Sequence, residues 1–64
     1  MDMSKKDYVA VANIISNARA NTSEGDKVAR EAITYIASDL AREFAKGNKL
    51  FDSDKFLRAC GLVF

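Results

Sequence analysis

Few side chains in this sequence could take part in chemistry, and Cys60 is the first of them. The 64-residue chain has one cysteine and no histidine, so a thiolate at Cys60 has no imidazole to act as its base. Cys60 also precedes a predicted helix end, where the helix dipole opposes a thiolate. Helical spacing places it on one face with Phe56 and Leu57. We predict that Cys60 is a small buried apolar group, that no residue is catalytic and that the protein is not an enzyme.

Carboxylates are the remaining candidates, as ligands of a hard cation. Asp39 and Glu43 lie on a predicted helix, and Asp52 and Asp54 follow it. The segment around Asp52 lacks the glycine and the distal glutamate of an EF-hand loop. A helix N-cap at Asp52 and a favourable first-turn charge at Asp54 explain both residues. We expect no metal site, no cofactor and no small-molecule substrate.

Size and charge restrict the class of protein. The chain is 48% apolar and carries ten basic and nine acidic residues, for a formal charge of +1. We expect one domain over residues 1–64, without the basic field of a non-specific nucleic-acid binder. A single cysteine forms no internal disulfide, and no stretch approaches the roughly 20 apolar residues that cross a bilayer. These features predict a soluble intracellular protein that does not interact with membranes.

The elements that must position any site are helical. Stepping about 100° per residue predicts an amphipathic helix over residues 5–20, with Val9 and Ile14 on the flanks of its apolar face. That face comprises Tyr8, Val11, Ala12, Ile15, Ala18 and the stem of Arg19.

A second, longer helix is predicted from about residue 24 to Lys46. Ser23 and Asp26 resemble a capping box, and Gly47-Asn48 offers a left-handed stop. Such a helix is roughly 35 Å long, so one neighbour cannot cover it. Its main apolar stripe comprises Ala29, Ala32, Ile33, Ile36, Ala37, Leu40 and Phe44.

A short third helix follows, capped by Asp52, with Phe51 placed to pack on Phe56 as a hydrophobic staple. We expect Gly61 to end it and the apolar residues 62–64 to dock on the core. The predicted fold is therefore all-α, a compact three-helix bundle. The long second helix is its centre, the first helix runs antiparallel to it, and the short third helix covers its open end.

Two further faces of the second helix suggest contact with another chain. One is a strip of small residues: Ala37, Ala41 and Ala45, extended by Thr34 and Ser38. The other is a heptad-spaced series on the opposite side, formed by Val28, Tyr35 and Arg42. The alternative is that the first helix or residues 62–64 cover the alanines and that Tyr35 is an ordinary half-exposed aromatic. The sequence does not decide between these interpretations.

A nucleic-acid function is the main alternative to protein binding. Basic residues are frequent in the C-terminal two thirds, and a helix, a turn with glycine and a short helix invite comparison with helix-turn-helix proteins. The short helix, however, opens with Asp52 and Asp54, which phosphate would repel. The basic residues concerned are Lys27, Arg30, Arg42, Lys46, Lys49, Lys55 and Arg58.

Residues 48–61, NKLFDSDKFLRACG, resemble the ending of small uncharacterised accessory proteins of tailed bacteriophages. Asparagine, phenylalanine-aspartate, a second phenylalanine and a terminal alanine-cysteine-glycine recur there at this spacing. Residues 5–8 and 36–45 are similar to the same group, whereas Lys49 and Lys55 depart from its usual proline and arginine. The resemblance implies a phage accessory protein in the cytoplasm of a bacterial host, and it implies no activity.

The function that these observations favour is a small non-catalytic protein-binding module that either self-associates as a homodimer or binds a bacterial host protein. A small nucleic-acid-binding or transcription-modulating protein is the alternative. Since a core of this size leaves no room for a ligand cavity of a few hundred cubic ångströms, we expect the binding site to be a surface. We predict that it is centred on Tyr35, with Glu31, Arg42 and Lys46 around it.

Overall fold

The computed structural model describes residues 3–62, which form three helices and contain no strand. Helix α1 spans Lys5–Ala20, α2 spans Lys27–Gly47 and α3 spans Ser53–Ala59. The all-α class is confirmed, with a long central helix and a short C-terminal one. The bounds of α1 are those predicted from its periodicity. Its start is fixed by Ser4, whose backbone N–H donates to the Asp7 carboxylate at 2.8 Å.

Helix α2 begins later than predicted, and its N-cap is Asp26 instead of Ser23. The Asp26 carboxylate accepts a hydrogen bond from the backbone N–H of Ala29 at 3.1 Å. The carbonyl of Ser23 instead accepts from the backbone N–H of Asp26 at 3.1 Å, within the connecting turn. Asp26 is itself a favoured capping residue, and capping from that position leaves the segment before it non-helical.

The predicted left-handed stop at Gly47-Asn48 is also wrong. Asn48 has an extended backbone, with φ −148° and ψ 108°, and Gly61 is the glycine with positive φ in the described part of the chain. The end of α2 is held by the Asn48 N–H, which donates to the Phe44 carbonyl at 3.0 Å. The Asn48 side-chain oxygen then accepts from the N–H of Leu50 at 3.0 Å and turns the chain toward α3.

Both ends of α3 follow the prediction. The Asp52 carboxylate accepts from the N–H of Lys55 at 3.1 Å, and the Phe51 and Phe56 rings lie 5.5 Å apart as the hydrophobic staple requires. After α3, Gly61 adopts a φ of 87°.

The chain leaves α3 through a Schellman motif. The N–H of Leu62 donates to the Leu57 carbonyl at 3.1 Å, and the N–H of Gly61 donates to the Arg58 carbonyl at 3.0 Å. Leu62 is buried, as predicted for the start of the apolar tail. Residues 63 and 64 lie outside the described residues, so the docking predicted for them is not tested.

The helices run up, down and up. The ring of Tyr8, near the start of α1, is 5.0 Å from that of Phe44, near the end of α2, so α1 and α2 are antiparallel as predicted. The start of α3 lies beside the same end, since the Phe56 and Phe44 rings are 5.5 Å apart. A Cβ atom at Gly61 would lie 3.6 Å from the Ser16 hydroxyl, which places the end of α3 beside the second half of α1.

The core is centred on the small residues of α2. Ala37 and Ala41 are buried, with Ala12 and Ile15 of α1, Phe56 of α3, and Cys60 and Leu62 just after it. Two members of the predicted stripe, Ala32 and Ile36, are exposed, as is Ala18 of α1. Because small side chains let neighbouring backbones approach closely, α1 and α3 pack against the alanine side of α2.

This packing decides between the two interpretations of the small-residue strip. Ala37 and Ala41 are covered by the chain itself, and Ala45 is exposed. Ala37 and Ala41 therefore belong to the core, as the second interpretation held, whereas Ala45 does not.

Candidate functional site

The four residues predicted as a binding surface lie together on the outward face of α2. Glu31, Tyr35, Arg42 and Lys46 are all exposed, and at about 100° per residue they fall within an arc of about 60°. Buried Ala37 lies on the opposite side of the helix. The geometry therefore makes these residues one continuous strip that points away from the core; we call it the α2 strip.

Tyr35 is the centre of the apolar surface on this side of α2. Tyr35 is 70% exposed, and Val28, two turns before it on the same side of the helix, is 80% exposed. Tyr35 is thus more exposed than the ordinary half-exposed aromatic of the alternative interpretation. Large apolar side chains gathered on one solvent-facing side of a helix are typical of a contact surface.

The electrostatics of the α2 strip are those of a fully solvated face. The ion pairs within residues 3–62 are Asp39–Arg42 at 3.8 Å and Glu43–Lys46 at 3.2 Å, and all four side chains are exposed. Such pairs are worth about 0 to 1 kcal/mol each, so they do not fix these side chains strongly. Lys27 and Glu31, one helical turn apart, do not form an ion pair in this part of the chain, and Glu31 takes part in neither of the two pairs.

An open groove of about 430 Å³ lies between α1, α3 and the turn that joins α2 to α3. The groove is open to solvent and lies outside the core, so it is not the enclosed ligand cavity that a core of this size was expected to exclude. Ala12 and Ala59 leave space between the two helices, Val9 lines one wall, and Leu50, 92% exposed, projects at the edge. Two features of the sequence indicate this groove: Val9 on the flank of the apolar face of α1, and Leu50, an apolar residue in a turn. The volume of the groove depends on the distance between α1 and α3, which the sequence does not give.

Four aromatic rings hold this end of the molecule together: Tyr8, Phe44, Phe51 and Phe56, with neighbouring centroids 4.8 to 5.5 Å apart. The Tyr8 hydroxyl also accepts a hydrogen bond from the Asn48 side chain at 3.5 Å. This cluster fixes the α2–α3 turn against α1 and so forms a rigid wall of the groove.

Cys60 lies in the core, where the prediction placed it. Its exposed fraction is 0%, and desolvation by burial raises the pKa of its thiol above the ordinary value. Burial and a raised pKa both keep the sulfur protonated and inaccessible at neutral pH. The position of Cys60 is that of a packing residue.

The described part of the chain, residues 3–62, has no group of three or more histidine, cysteine, aspartate or glutamate side chains placed to hold a metal ion. None of its helices is long and apolar enough to span a membrane.

No family model matches this chain, and no curated protein and no solved structure matches it significantly. The resemblance to phage accessory proteins remains a prediction that rests on the motif in residues 48–61. The capping and packing seen for this motif explain why its residues have these types, whatever the origin of the chain.

Proposed function

We propose that the protein is a small non-catalytic protein-binding module whose contact surface is the α2 strip. The observation that carries the proposal is the 70% exposure of Tyr35 on the side of α2 opposite the core. Arg42 lies on the same side, and tyrosine and arginine are the residues that most often dominate binding energy at protein interfaces.

The biological setting is part of the same proposal and rests on the motif in residues 48–61. We propose a phage accessory protein in the bacterial cytoplasm that binds either a second copy of itself or a host protein. Protein binding is favoured over nucleic acid because Asp52, at the start of α3, already caps the helix and Asp54 adds a second negative charge there. The carboxylates of Asp52 and Asp54 would both repel the phosphates of a nucleic acid bound at this helix.

A double substitution tests the surface. Replacing Tyr35 and Arg42 by alanine should preserve helicity, because both side chains are exposed, and should weaken partner binding by more than about 2 kcal/mol, roughly thirtyfold. The matched control replaces Leu50 and Lys55, an exposed leucine and a lysine at the groove. Binding is measured by affinity capture from host lysate, followed by titration of the captured protein.

The outcomes separate the alternatives. Loss of binding in the Tyr35/Arg42 variant alone supports the α2 strip, whereas loss in the Leu50/Lys55 variant alone moves the contact surface to the groove and contradicts the proposal. Unfolding of the first variant would place Tyr35 in the core. A shift of mixed duplex DNA that weakens with added salt, without any protein partner, would support the nucleic-acid alternative instead.

A further inference from the structure

The order of residues in the α2 strip carries information about its partner. Tyr35 follows Glu31 by four residues, Arg42 follows Tyr35 by seven and Lys46 follows Arg42 by four. The spacing of the four residues is the same when it is counted from either end of the strip, but the residue types at the two ends differ. An acid and an aromatic ring lie at one end, and two bases lie at the other.

We propose that the partner is a second copy of this chain, bound through an antiparallel pairing of the two α2 helices; this inference rests on the proposed function. The twofold axis crosses α2 between Ser38 and Asp39. Glu31 then lies opposite Lys46 of the partner subunit, and Tyr35 lies opposite Arg42 of the partner subunit. Because the interface is isologous, each contact is made twice.

The register is the same for both kinds of contact. At about 1.5 Å per residue, Tyr35 and Arg42 each lie about 5 Å along the helix from the axis, and Glu31 and Lys46 each lie about 11 Å from it. One register therefore aligns all four pairs. The two inner pairs place a guanidinium against an aromatic face, and the two outer pairs place opposite charges together.

The contacts within one chain do not prevent this pairing. Arg42 lies 3.8 Å from Asp39 and Lys46 lies 3.2 Å from Glu43, and these four side chains are between 68% and 73% exposed. Pairs of this kind contribute little to stability, so Arg42 and Lys46 can turn to a partner at small cost. Glu31 has no competing ion pair within residues 3–62.

One contact in the pairing is unfavourable. Asp39 lies beside the twofold axis, so the two Asp39 carboxylates of the dimer approach each other. Arg42 of the same chain offsets part of their repulsion. Replacing Asp39 by asparagine removes this repulsion and should strengthen the dimer, although it also removes an ion pair within the monomer. Few substitutions of a charged surface residue are expected to strengthen self-association, so a tighter dimer in the Asp39→Asn variant would support this particular pairing of the two helices.

The expected association is reversible. One strip of a single helix buries less than the roughly 800 Å² per partner of a standard interface. Ala37 and Ala41 are already buried within one chain, so the core does not depend on a partner. A monomer that is folded by itself and pairs at high concentration is the consistent arrangement.

Charge reversal in the 64-residue chain tests the pairing, with sedimentation equilibrium as the measurement. Glu31→Lys and Lys46→Glu each place like charges opposite each other and should weaken dimerisation more than tenfold. The double variant restores opposite charges and should recover dimerisation to within about threefold of the wild type. Asp39→Asn should tighten the dimer. The control is Lys55→Glu on α3, the same charge change outside the strip, and it should have no effect.

Three results would overturn the inference. The first is a wild-type chain that sediments as the 7.0 kDa monomer at millimolar concentration. The second is a double variant no better than either single variant, and the third is an Asp39→Asn chain that dimerises less than the wild type. Circular dichroism verifies that each variant is folded. If dimerisation fails while the Tyr35/Arg42 variant still loses a host protein, the proposed function stands and only the second copy is refuted.

Discussion

Gly61→Ala and Gly47→Ala should change stability in opposite directions, although both replace a glycine at or near a helix end. Gly61 has a φ of 87°, a conformation that costs an L residue about 1 to 2 kcal/mol. Gly47 is the last residue of α2 and does not have positive φ. Alanine there lowers the entropy of the unfolded chain without strain in the folded one.

Steric conflict does not account for the expected loss at Gly61. A Cβ there would meet the Ser16 hydroxyl at 3.6 Å and the Arg19 guanidinium at 3.9 Å, both ordinary contacts, whereas nothing lies within 4 Å at Gly47. Backbone strain therefore sets the effect. After allowance for unfolded-state entropy, Gly61→Ala should destabilise by about 1 kcal/mol and Gly47→Ala should stabilise by about 0.5 kcal/mol. If the Schellman motif opens, Leu62 is also exposed and the loss is larger.

Thermal unfolding followed by far-UV circular dichroism measures both variants under the same conditions. The expected difference of about 1.5 kcal/mol corresponds to a separation of roughly 10 °C between the two thermal midpoints in a domain of this size. Equal changes in the two variants, or a stabilised Gly61→Ala chain, would show that Gly61 is not held in the left-handed conformation. The account of how α3 ends and how Leu62 docks would then be wrong.

Substitutions at three further residues probe the core and the groove. Cys60→Ser puts a hydroxyl where a thiol packs and should destabilise the fold by about 1 to 3 kcal/mol. A thiol reagent should modify Cys60 of the native wild type only as fast as the chain unfolds. Rapid stoichiometric labelling would refute the burial of Cys60. Because burial raises the pKa of the Cys60 thiol, the unfolded chain loses this proton first, so stability should fall as pH rises through the ordinary thiol range and Cys60→Ala should lack that fall. Phe56→Ala removes a 5% exposed ring and should cost about 3 to 5 kcal/mol, while Leu50→Ala, at a 92% exposed residue, should stay within about 0.5 kcal/mol in the same unfolding assay.

Local chemistry explains why the helices could be predicted from the sequence. The repeat of apolar residues from Tyr8 to Ile15 defines α1, and Asp52 with Phe51 marks the start of α3, because capping and stapling depend on residues a few positions apart. The start of α2 was harder to predict, since Ser23 and Asp26 are both acceptable caps. The structure shows that Asp26 is the one used.

Tertiary packing explains what the sequence did not reveal. The apolar residues of α2 extend around more than half of the helix, and periodicity alone favours a buried face that includes Ile36. Because α1 and α3 pack on Ala37 and Ala41, the buried face of α2 is centred on these two alanines, and Ile36 is exposed. The groove has the same origin, because Ala12 and Ala59 create space only when two separate helices are side by side. Neither feature is encoded in any one segment.

The groove and the α2 strip are separate surfaces, and this separation has a consequence for function. The groove is lined by α1, α3 and the connecting turn, with no residue from within Lys27–Gly47, whereas the α2 strip belongs to α2 alone. A dimer formed through α2 would therefore leave both grooves open. Substitutions on α2 would change self-association without altering the groove, and substitutions at Leu50 or Lys55 would do the reverse. A chain of 64 residues can thus present two surfaces that are independently mutable, because the α2 strip and the groove share no residue.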